Sequence, residues 1–125
     1  MTQGKRKVLA VIDDLMFTVK IADTAKRTGL GVDFVKAEQD VFAKLPENPL
    51  VIILDLNTNT VDPIQLIQRL KADERSRGIS IVGYVSHVQG ELKQRAHEAG
   101  CDMVMARSAF SQNLPVILKR HASAA

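Results

Sequence analysis

Cysteine is almost absent: Cys101 is the only one in 125 residues, so no intrachain disulfide can form. That usage fits a reducing compartment, and a cytoplasmic protein is the expectation. Tryptophan is missing, and four phenylalanines and one tyrosine make up the whole aromatic set. The chain therefore lacks the stacking platforms of single-strand nucleic-acid binders. Long apolar runs are missing as well. The opening Met1-Thr2-Gln3-Gly4-Lys5-Arg6-Lys7 leads into only five apolar residues before Asp13, too few for a signal peptide or a membrane span. No His/Cys spacing suits zinc. Gly29-Leu30-Gly31 is not a dinucleotide fingerprint, because Phe34 takes the place of the third glycine, and no Walker lysine motif occurs. A strong excess of one charge is also lacking. The net charge is +3, and acids interrupt several of the scattered basic groups, which read mostly as solvated faces rather than a nucleic-acid patch.

What the chain does have is a buried-type strand that ends in an acid. Val51-Ile52-Ile53-Leu54 runs straight into Asp55-Leu56-Asn57. A continuous, β-branched apolar run of this kind suits a strand covered on both faces of a sheet. A carboxylate is tolerated at its end only where the strand leaves the core. In an open parallel sheet, that is the crevice where ligands bind.

The rest of the chain repeats the pattern. Residues 8–12 form a short apolar strand stopping at Asp13-Asp14. A helix follows, with Phe17, Ile21 and Ala25 recurring every four residues and Gly29 as its stop. Residues 31–36 alternate as a second strand nearer an edge. A short helix through Val41, Phe42 and Leu45 ends near Pro46. After the strand at 51–55, Asp62-Pro63 is a helix start, with an N-cap acid, proline in the first position and Gln65 placed for a capping box. Ile64, Ile67 and Leu70 mark its buried stripe. Residues 79–85 give a fourth strand ending at Ser86-His87, and Leu92, Ala96 and Ala99 a fourth helix. Residues 103–106 give a fifth strand ending at Arg107. The last helix carries Phe110, Leu114, Ile117 and Leu118. Pro115 is expected in its first turn, which puts the helix start near Ser111 to Asn113. Five β-α units imply an α/β fold: a doubly wound, five-stranded parallel sheet with five helices, in one domain spanning 1–125.

In such a sheet the strand ends share one edge. The first strand delivers Asp13 and Asp14 there, the third Asp55 and Asn57, the fourth Ser86 and the fifth Arg107. Three converging carboxylates repel one another and call for a cation, and oxygen ligands select a hard ion such as Mg²⁺. An arginine and a hydroxyl beside that ion suit a phosphoryl group, with Asp55 as the nucleophile of an acyl phosphate.

These pieces resemble a receiver domain of two-component response regulators, a flavodoxin-like (βα)5 fold. The stretches that carry the resemblance are Lys7-Val-Leu-Ala-Val-Ile-Asp13-Asp14, Val51-Ile-Ile-Leu-Asp55-Leu-Asn57, Val82-Gly-Tyr-Val-Ser86 and Ala99-Gly100-Cys101-Asp102. Together they span roughly residues 7–120 in the family's order and spacing. The resemblance implies that Asp55 accepts phosphate from a histidine kinase or phosphotransfer protein. It implies that Asp14 binds Mg²⁺ directly, Asp13 through water, and Asn57 through its backbone carbonyl. Ser86 matches the hydroxyl that contacts the phosphoryl group and relocates on activation. The implied role is signalling through protein–protein contact rather than enzymatic turnover. With no output domain in the sequence, a stand-alone receiver acting on another protein is the expectation, without a membrane.

The departures from the family pattern are specific. Arg107 stands where the family has lysine, and Ser108 where it has a proline after a cis bond, so a trans bond is expected here. His87 follows the switch hydroxyl where a small residue is usual, and Val104 replaces the switch aromatic. Asn59 and Pro63 replace a usual proline and glycine. These changes motivate an alternative, a pseudo-receiver that docks without being phosphorylated. A third reading, a haloacid-dehalogenase-type phosphatase, rests on Asp55-Leu-Asn57-Thr-Asn-Thr60. It fails on Asn57, which replaces the acid/base, and on a length too short for that family's later motifs.

Overall fold

A computed structural model describes residues 6–86 and 90–124. Each apolar run becomes a strand: β1 (Lys7–Val11), β2 (Gly31–Val35), β3 (Val51–Asp55), β4 (Ser80–Val85) and β5 (Met103–Ala106). The amphipathic stretches between and after them become α1 (Leu15–Arg27), α2 (Glu38–Lys44), α3 (Pro63–Ala72), α4 (Gly90–Ala99) and α5 (Arg107–Ala124). All pairings are parallel, in the order β2-β1-β3-β4-β5. This is the flavodoxin-like doubly wound arrangement, for which chemotaxis receivers are one of the standard examples.

The sheet is covered on both faces, as the unbroken apolar strands require. Val8, Ala10, Val51, Ile53, Val82 and Tyr84 pack against α1 and α5, which supply Phe17, Ile21, Phe110, Leu114 and Leu118. Leu9, Val11, Ile52, Leu54 and Ile81 face the other way, onto Val41 of α2, Leu66, Ile67 and Leu70 of α3, and Ala96 of α4. The alternation along each strand, two residues per period, sorts the side chains between the two layers.

Local signals in the sequence set the helix limits. Asp14 caps α1, its carboxylate accepting from the Phe17 N–H at 3.1 Å. Gly29 ends that helix at a positive φ of 81°. Asp62 caps α3 as expected, accepting from the Gln65 N–H at 3.2 Å with Pro63 in the first turn. Two expectations are corrected. The deepest residues of α3 are Leu66, Ile67 and Leu70, while Ile64 is only partly buried against the same layer. The last helix does not start late: it begins at Arg107, directly after β5, and runs through Pro115. Pro115 is exposed, so the Ser111 carbonyl that loses its donor lies on the solvent side. The buried Phe110, Leu114, Ile117 and Leu118 hold the helix on both sides of it. No cis peptide occurs among the described residues, as expected for Arg107-Ser108.

Candidate functional site

The topology selects one edge. The chain leaves β1 toward β2 on one side, whereas β3, β4 and β5 follow on the other. The switch point therefore falls between β1 and β3, at their carboxyl ends. Register puts Val11 beside Leu54, and Asp55 beside Tyr84. Asp13 and Asp14 follow β1 into this crevice and Asp55 ends β3 in it. Asn57 and Ser86 follow β3 and β4, and Arg107 opens α5.

Asp55 is partly buried, and its Oδ1 accepts from the Asn57 N–H at 2.9 Å. Burial pushes its carboxyl pKa upward, the Asn57 N–H and the Arg107 guanidinium pull it back, and the Asp14 charge adds to the rise. Oδ2 has no hydrogen-bond donor among the described residues. The Asn57 side chain turns toward β4, where its Oδ1 accepts from the Ser86 N–H at 2.6 Å. The ends of β3 and β4 are thus tied together, with Ser86 exposed beside the tie.

The acid pair behaves differently. Asp14 uses both oxygens within the chain: Oδ1 takes the Phe17 N–H, and Oδ2 pairs with the Arg107 guanidinium. The Phe17 N–H is the main reason its carboxyl is held below the usual range; partial burial opposes this and Arg107 adds to it. Asp13 is more exposed and pairs with Lys36 at 3.0 Å. The charge problem posed by three acids is therefore met by two cations of the chain itself. Arg107 sits at the N-terminus of α5, where the helix dipole disfavours a positive charge, and Asp14 compensates for that position.

Beneath the charges lies an aromatic cluster. The Arg107 guanidinium carbon stands 4.4 Å from the centroid of the Phe17 ring. Phe17 meets Tyr84 edge-on at 5.0 Å and Phe110 at 5.9 Å, and Tyr84 stacks on Phe110 at 4.7 Å. Tyr84 is fully buried, and its hydroxyl has no hydrogen-bond partner among the described residues. Burial, with the Asp55 charge adding to it, pushes its phenol pKa well above the usual range.

The structure thus brings Asp14, Asp55, Asn57, Ser86 and Arg107 to one edge, with Asp13 beside them and turned to Lys36. His87 lies outside the described residues. Val104 is buried in the α3/α4 layer. Sequence reasoning missed Lys36, Phe17, Tyr84 and Phe110 as neighbours of the site. Lys36 carried a usable signal, since it leaves β2 at the edge where Asp13 leaves β1. Phe17 carried another, three residues after a capping acid.

Searches of known structures return many response regulators with this fold. The chemotaxis response regulator CheY4 of Vibrio cholerae superposes with a TM-score of 0.79 at 20% identity, over 94% of this chain and 99% of that chain. The receiver domain of a sensor histidine kinase from Pseudomonas aeruginosa PAO1, which has a magnesium ion in its active-site cleft, gives 0.79 at 20% identity over 96% and 99%. The phosphorylated cyanobacterial phytochrome response regulator RcpA gives 0.76 at 20% identity over 94% and 91%. No protein-family model and no curated protein matches the sequence. By architecture the chain is a flavodoxin-like α/β protein. More narrowly, its fold is that of the response regulator receiver domain, which it covers nearly end to end.

The side chains as arranged do not fit a divalent cation. Among the described residues no group of three His, Cys, Asp or Glu side chains converges to hold one. The acids that would supply the oxygens are engaged by Arg107 and Lys36.

Proposed function

We propose that this chain is a receiver domain that takes a phosphoryl group on Asp55 from a histidine kinase or phosphotransfer protein. It would pass the signal on through contact with another protein. The observation that supports this most directly is the setting of Asp55, at the end of a central strand of a receiver fold. One oxygen is fixed by the Asn57 N–H and the other has no donor among the described residues. In the transfer, that second oxygen attacks phosphorus, a carboxylate–phosphorus bond forms, and the bond from phosphorus to the donor imidazole breaks. The donor nitrogen keeps the electron pair. Arg107 is the cation whose charge bears on Asp55, and its guanidinium suits the negative charge on the oxygens of the transferring phosphoryl group. Ser86, tied to β3 through Asn57, supplies a hydroxyl at the same edge. In this reading a magnesium ion at Asp13, Asp14, Asp55 and the Asn57 carbonyl requires Lys36 and Arg107 to release their acids first. No helix is long and apolar enough to cross a membrane among the described residues.

The test is incubation with acetyl phosphate, with and without Mg²⁺, followed by amide NMR and intact mass. The expected result is a covalent phosphoryl adduct, with amide shifts at Asp55, Ser86 and β5, all absent in Asp55→Asn. An unmodified wild type whose spectrum matches that of Asp55→Asn would leave a docking module that is not phosphorylated.

A further inference from the structure

Phe17 positions both halves of the Arg107–Asp14 pair. Its backbone N–H fixes Asp14 Oδ1, and its ring seats the guanidinium that takes Asp14 Oδ2. The ring is itself locked, edge-on to Tyr84 and tilted against Phe110. The pairing is therefore a built contact rather than a chance approach of two long side chains. It also puts a donor on each oxygen of Asp14, one of them a full positive charge that repels a metal ion at that carboxylate.

We propose that Arg107, seated on Phe17, is the resident cation of this site: it holds Asp14 in the place of a divalent metal, and a metal binds there only when the guanidinium leaves. Two like charges cannot share one carboxylate in a partly buried crevice without strong repulsion. Arginine and divalent ion are therefore competitors, and Phe17 tilts the competition toward arginine. Lys36 on Asp13 acts in the same direction from the more exposed side. The competition concerns the ion alone. It holds whether or not Asp55 is ever phosphorylated, so its failure and the failure of the phosphoacceptor reading are separable.

The experiment titrates the whole chain with Mn²⁺, reading bound ion by water-proton relaxation. Wild type, Arg107→Gln, Phe17→Leu and the double variant Arg107→Gln/Asp14→Asn are compared, with amide spectra as the check of fold. Removing the guanidinium should tighten Mn²⁺ binding by about tenfold or more, the effect expected for one charge lifted from an oxygen-ligand site. Phe17→Leu retains Arg107 and should tighten binding by a smaller factor. The double variant should lose the gain. Equal or weaker binding by Arg107→Gln, no change in Phe17→Leu, or a gain that survives Asp14→Asn would each overturn the proposal.

A measurement on wild type alone guards against a variant that does not fold. Tyr84 is the only tyrosine and no tryptophan is present, so its emission reports on the Phe17 cluster without interference. Saturating Mg²⁺ should shift the Arg107 Nε–H resonance and the Tyr84 emission together. Mg²⁺ binding that moves the Asp14 amide and leaves both of these unchanged would show that arginine and metal do not exclude one another.

Discussion

Asp14 and Asp55 are two carboxylates in one crevice with opposite balances. Asp14 is charged at a helix N-terminus, with an N–H on one oxygen and a guanidinium on the other, and its pKa is lowered. It contributes stability that is present above the ordinary carboxylate range and is lost as pH falls through the lowered folded value. Asp55 is more deeply set, with one N–H as its direct partner, and burial raises its pKa. The folded chain holds that proton more tightly than the unfolded chain does. Its carboxylate therefore costs stability, a cost absent at acid pH and complete once pH passes the raised folded value. The two conservative amides should move stability in opposite directions at neutral pH. Asp14→Asn keeps a competent N-cap but deprives Arg107 of its partner, and should lose about 1 kcal/mol. Asp55→Asn still accepts from the Asn57 N–H and sheds the buried charge, so its melting temperature should rise by a few degrees. Thermal melts from acid to neutral pH check both. The three proteins should converge as the acids protonate, and a destabilised Asp55→Asn at neutral pH would show that its charge is compensated better than its surroundings indicate.

Among the elements, α5 departs furthest from its sequence pattern. Proline inside a helix costs about 3 kcal/mol through a lost bond and a clash, offset by up to about 1 kcal/mol from a stiffer unfolded chain. Pro115→Ala should therefore stabilise the chain by about 2 kcal/mol. A raised urea midpoint with an unchanged slope would show it, and a lowered midpoint would mean that the backbone proline fixes there is needed to seat the buried Leu114 and Ile117. The same helix marks what the sequence could reveal. Apolar runs located β1, β3, β4 and β5, because burial leaves little room for polar residues, and alternation located the edge strand β2. Asp62-Pro63 located α3, because capping is local. The start of α5 was misplaced because proline is a strong local signal and tertiary packing overrode it. The edge that gathers the acids was legible from topology. The partner that Asp14 takes was not, since it depends on a side chain 93 positions away.

At the scale of the whole molecule, the site joins parts of unequal stability. β3 is paired on both sides and fully buried over Val51–Leu54, and β1 and β4 are nearly as enclosed. The edge strands are thinner: four of five β2 residues and three of four β5 residues are partly exposed. Backbone bonds in enclosed strands open only with the whole fold, while those at edges open in smaller, cheaper fluctuations. Hydrogen exchange should therefore be slowest in Leu9–Val11, Ile52–Leu54 and Ile81–Tyr84, and faster in β2 and β5 by about tenfold or more. This ranking bears on the site directly. Asp55 stands on the most enclosed strand, whereas Arg107 stands at the joint of an edge strand and a helix. A charge on such a joint can leave its partner with little disturbance to the core. Amides of Met105 and Ala106 that exchange as slowly as Ile53 and Leu54 would place Arg107 on an equally rigid support. Its release from Asp14 would then have to come from rotation of the side chain alone, against the full contact with Phe17.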